Sequence, residues 1–152
     1  VNAAELANSV EIVSKIAAIV NLFKSEFPDT SADLNPWLHN AETAKFDDAH
    51  SVDLAFHFSQ RNFACQSYSI LMQIRLPETS EVNRQRMTGI ELSGHDYMGQ
   101  QWRFTASGHS EFGGEFWGLT PPLPEAEHKL RQICLQILQL FNLTSKSSVT
   151  EQ

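Results

Sequence analysis

A chain of 152 residues has the length of a single domain and can bury a core without a metal or disulfide staple, because roughly 68–70% of the surface leaves water at this size. Its 41% hydrophobic content is that of a folded protein rather than a disordered one. Its 18 acidic and 11 basic residues leave a net charge of −7, which argues against nucleic acid as a partner, since phosphate contact needs clustered lysine and arginine.

Residues 3–27 read as one long helix. Leu6, Val10, Val13, Ala17, Val20, Phe23 and Phe27 recur at three- and four-residue intervals, and Ile12, Ile16 and Ile19 widen that stripe. Pro28 and the turn-rich PDTSAD end it. Asn35-Pro36-Trp37-Leu38 suggests a short helix with Asn35 as cap and Pro36 at the first helical position.

Residues 51–76 hold two amphipathic strands. In the first, Val52, Leu54, Phe56 and Phe58 alternate with Asp53, Ala55, His57 and Ser59. In the second, Tyr68, Ile70, Met72, Ile74 and Leu76 alternate with Ser67, Ser69, Leu71, Gln73 and Arg75. Successive side chains on a strand point to opposite faces, so each strand has one apolar and one mostly polar face. After a polar connection at 77–86, a third strand at about 87–94 carries Ile90 and Leu92 on its apolar face. The HDYMGQ turn leads to a fourth at about 100–107 with Trp102, Phe104 and Ala106 inward. The crossing SGHSEFGGEFWGLTPPLP holds Phe112, Phe116, Trp117 and Leu119, and part of it, around 114–119, has room for a further short strand. A second helix, about 124–142, starts at Pro124 and carries Leu130, Ile133, Cys134, Ile137 and Phe141 on one side.

The expected fold is therefore α+β: a four-stranded antiparallel meander in two layers, with a long N-terminal and a C-terminal helix on one face. One domain spans residues 1–143, and 144–152 form a frayed tail. A long helix across a curved meander resembles the cystatin-like arrangement. The two terminal helices are similar to those of small secretion chaperones. Both resemblances concern architecture, rest on no motif and imply no function.

No complete catalytic motif is present. Gly108-His109-Ser110-Glu111-Phe112-Gly113 approaches the GxSxG elbow, but its second glycine falls one position late and no helix follows the serine. His39, His50, His57, His95, His109 and His128 form no HxH, HxxH or HExxH pair, so neither a metal nor a cofactor is expected. Cys65 and Cys134 stand far apart, which fits two small buried side chains in a reducing compartment, and a cytoplasmic location. The chain's first residues show no signal-peptide core, and no apolar run approaches the ~20 residues that cross a bilayer, so no membrane partner is expected.

The polar sheet face is the better site candidate. His57, Gln73, Arg75, Glu91 and Arg103 share it as candidate ligand-binding residues, with Arg75 and Arg103 able to pair with Glu91 or Asp53. Leu71 on that face suggests that something covers part of it. Phe112, Phe116 and Trp117 form a candidate partner surface. These features point to a non-enzymatic binding or assembly module, a homodimer or a binder of another protein. The alternative is a small-molecule site or enzyme with its pocket between the N-terminal helix and the sheet.

Overall fold

The computed structural model describes residues 1–6, 8–37, 51–76, 89–107 and 114–150, with side chains followed to residue 141. The elements are α1 (Ala3–Leu6), α2 (Val10–Glu26), β1 (Thr30–Asp33), β2 (Ser51–Asn62), β3 (Ser67–Arg75), β4 (Gly89–Asp96), β5 (Gly99–Ser107), β6 (Phe116–Gly118) and α3 (Pro124–Thr150). The class is α+β, with an antiparallel sheet between N- and C-terminal helices. The sheet has six strands, not four. They pair consecutively in the order β1 to β6. The two additional strands lie at the edges and are four and three residues long. Neither shows the alternation that marks the central four. β1 is a TSAD segment whose place comes from pairing with Ala55–Phe58 of the long β2. β6 pairs Phe116–Gly118 with Trp102–Phe104.

The inner face of the sheet is the one expected. Val52, Leu54, Phe56 and Phe58 are buried with Ile70, Met72, Ile74, Ile90, Leu92, Trp102, Phe104 and Ala106. Tyr68, at the open end of β3, is instead exposed and lies 6.1 Å from Tyr97. From the helix side, Phe23 stacks on Phe56 at 3.9 Å, and Leu130, Ile133, Cys134 and Ile137 of α3 complete the core. Full burial of an aromatic or branched side chain contributes about 1.5–3 kcal/mol.

The first helix departs from the expected 3–27 span. Ser9 takes an extended conformation (φ −139°) and its Oγ accepts from Ile12 N, so a cap separates α1 from α2. The buried stripe also differs. Ile16, Ile19, Phe23 and Phe27 face the sheet, whereas Val10 and Val13 are exposed. The helix carries two overlapping stripes at helical spacing, and the sheet takes the one with the larger side chains. At Asn35–Trp37 no helix begins; Asn35 N donates to Asp33 Oδ1 at 2.9 Å in a turn, and the remainder of that expected helix lies outside the described residues. α3 continues to Thr150, past the expected end near 142, in a stretch with no glycine or proline to stop it.

Gly94 marks a close approach. A Cβ there would lie 2.2 Å from the Trp102 ring, so only glycine lets the indole cross β4 and donate its Nε1–H to Cys65 O at 2.8 Å. That bond ties the β2–β3 turn to β5.

Candidate functional site

The outer sheet face is built in cross-strand rows, because residues paired across antiparallel strands point the same way. One row runs Ser31, His57, Ser69, His95 through β1 to β4. The next runs Asp33, Ala55, Leu71, Ser93, Arg103, Trp117 through all six strands. A third holds Asp53, Gln73, Glu91 and Thr105.

The first two rows share a polar line. His57 Nδ1 lies 2.7 Å from Ser69 Oγ, and its Nε2 lies 3.3 Å from Asp33 Oδ2. With Nε2–H donating to the carboxylate, Nδ1 accepts from the serine hydroxyl. Beside it, His95 Nε2 sits 2.8 Å from Ser93 Oγ. Burial pushes the His95 pKa below its ordinary value, and Asp96 pulls the other way.

Glu91 stands between two arginines, as the strand alternation anticipates. Arg75 Nη2 donates to Glu91 Oε2 at 3.2 Å. Arg103 Nε lies 2.8 Å from Glu91 Oε1, but its N–H finds no acceptor along its own direction, so that contact is one of charge alone. Both arginines are close to half exposed, and each pair contributes about 0.2–1 kcal/mol. Arg103 also lies 6.0 Å from the Trp117 ring.

Asp53 takes no part in that ion pairing. It is fully buried and accepts from Trp37 Nε1 at 2.7 Å, Ser51 Oγ at 3.0 Å and the Val1 nitrogen at 3.1 Å. Asn2 brackets Trp37 through two further hydrogen bonds of 2.9 and 3.0 Å. This knot secures the N-terminal segment beside β2.

The expected ligand-binding residues are thus brought together in part. Gln73, Arg75, Glu91 and Arg103 cluster on β3, β4 and β5. His57 stands apart from them, in the polar line with Asp33 and Ser69. Asp33 is absent from the sequence-based candidates because β1 is not marked by alternation. The candidate partner residues separate as well. Phe116 turns inward and stacks on Phe104 at 4.4 Å, Trp117 is 48% exposed on the outer face, and Phe112 lies outside the described residues. His39, His50 and the Gly108–Gly113 stretch also lie outside them.

Two concavities among the described residues flank α2. One of about 610 Å³ lies between α2 and α3, walled by Ala18, Leu22, Gln136 and Leu140. The other, about 290 Å³, lies between α2 and Leu34. Among the described residues no group of three or more His, Cys, Asp or Glu is arranged to hold a metal ion. Within the described residues no helix is long and apolar enough to cross a membrane. Both cysteines are free and buried; burial, with Asp29 adding to it for Cys65, pushes each thiol up to about 12, so neither is a ready nucleophile.

The sequence profile of a family described as a domain of unknown function matches residues 4–143, and the chain belongs to that family. No curated protein and no solved structure matches the chain.

Proposed function

We propose that the domain is a non-enzymatic assembly module that works through its outer sheet face, with a second copy of the chain as its partner. One observation carries this: the Asp33–Ala55–Leu71–Ser93–Arg103 row places an apolar side chain at its centre, small residues on either side and opposite charges at its ends. Leu71 is the apolar contact on which the reading rests. The residues expected to bind a ligand take part as the polar surround, and Trp117 extends the row at its β6 end. On this reading the chain works in the cytoplasm, a location that suits its two free cysteines, since thiols stay reduced there. Sedimentation equilibrium across a wide concentration range tests the proposal. A dimer in the micromolar range or tighter is expected, and a strict monomer at the highest concentration overturns it.

A second function, a small-molecule site or enzyme, draws on the Asp33–His57–Ser69 line, which presents a serine hydroxyl to an oriented imidazole base. Against it, Ser69 sits on a strand paired on both sides, so the adjoining backbone amides serve the ladder rather than an oxyanion. A fluorophosphonate probe separates the two. Labelling of Ser69 that His57→Ala abolishes supports the enzyme, and an unlabelled protein removes its main support.

A further inference from the structure

The strand register does more than mark a face: it specifies how a second copy would sit on it. We infer that two copies stack outer face to outer face about a two-fold axis that runs parallel to β3 and passes over Leu71; this rests on the assembly role proposed above. Such an axis exchanges left and right across the sheet while keeping each cross-strand row level. It therefore lays the central row on its own reverse. Leu71 meets its symmetry mate. Ala55 comes opposite Ser93; both are small and nearly buried, so they leave the contact to Leu71 and to the ends of the row. Asp33, two strands to one side of Leu71, meets Arg103, two strands to the other. Isologous contact requires this kind of self-complementarity, in which residue i meets j and j meets i. Rotation about an axis across the strands instead would oppose Asp33 to Asp33 and Arg103 to Arg103.

The other charged and titratable groups on the face bear unequally on this placement. Arg75 lies near the axis, but it shares Glu91 with Arg103. Asp53, in the position across from Glu91, is fully buried beneath Trp37 and presents no charge to the partner. His57 comes opposite His95. Trp117, one strand beyond Arg103, overhangs the edge of the partner's β1, where no residue of the row stands opposite it. The five strands that overlap, at ~4.8 Å spacing and with seven residues at ~3.3 Å rise, give two faces that together bury at most on the order of 1,000 Å², the lower bound of a specific interface. The expected dimer is accordingly reversible.

Cross-linking and charge exchange test the register. Leu71→Cys is expected to join to its mate with a short bis-maleimide, while the buried native thiols stay unreactive. Ala55→Cys and Ser93→Cys are each expected not to cross-link alone, but to do so when both are present in one chain. Asp33→Arg and Arg103→Asp are each expected to weaken dimerisation about tenfold, and the double exchange to restore most of it. Thermal melts of each variant verify folding, and all these positions lie on the face rather than in the helix-side core. If the wild-type chain is a strict monomer, both this arrangement and the assembly role fall. If it dimerises while the cysteine pattern and the charge exchange fail, only the arrangement is overturned and another surface carries the dimer.

Discussion

Asp53 is the side chain whose removal should cost most per atom. It is fully buried, and three donors converge on its carboxylate. Asp53→Ala removes a buried acceptor on which the Trp37 indole N–H and the Ser51 hydroxyl converge, so a loss of about 2–4 kcal/mol is expected in urea unfolding. Gly94→Ala should be costly for the opposite reason, too much volume. Its Cβ would enter the Trp102 ring, and the expected loss is about 1–3 kcal/mol, read as a lower unfolding midpoint with unchanged slope. His95 sets a pH dependence. Its folded pKa is held below the ordinary value of 6.5, so in that window the unfolded chain binds more protons than the folded one. Stability then rises with pH up to about 6.5 and declines as pH falls below it, and His95→Gln should flatten that slope. At this scale the alternation of β2 and β3 reveals which face each residue takes. It does not reveal that Asp53 is buried, because Trp37 and Val1, which close over it, are distant in sequence and carry no pattern that directs them there.

Among the elements, the four central strands are legible because their burial alternates with a period of two, and α3 because Leu130, Ile133 and Ile137 keep helical spacing. β1 is not, and β6 is foreseen only as a short strand around 114–119 with no period of its own. Four residues of TSAD and three of FWG hold too few side chains for a period to emerge, and both become strands through the neighbour they pair with. The break between α1 and α2 departs from the single helix expected over 3–27. Ser9 is a strong capping residue, but it sits within an uninterrupted helical periodicity that outweighs a single polar side chain. Its role is testable: Ser9→Ala removes the acceptor of the Ile12 amide, and about 1 kcal/mol should be lost, visible as a fall in melting temperature without loss of the sheet signal in circular dichroism. The outer face follows the same logic. The company of Arg75, Arg103 and Glu91 follows from alternation, whereas the contact of His57 with Asp33 depends on an edge strand that alternation does not disclose.

For the molecule as a whole, every strand pairs with its neighbour in sequence, and the two helices cover a single side. The other side is left to polar rows around Leu71. If that side is where copies meet, native-state association adds to stability by mass action. A hundredfold rise in protein concentration should then raise the melting temperature of the wild-type chain but not that of Leu71→Arg. Lastly, the brevity of β1 and β6 governs what kind of growth is open to the chain. A sheet that ends in a long, flat strand offers its unpaired amides and carbonyls as a template on which further chains add without limit. Here the margins are four and three residues long, and Gly118 at the end of β6 has a φ of 142°, off the extended path that an incoming strand would follow. Lateral accretion into fibres is thereby disfavoured, and in the proposed arrangement association is confined to a surface where two copies satisfy each other and the process stops at two.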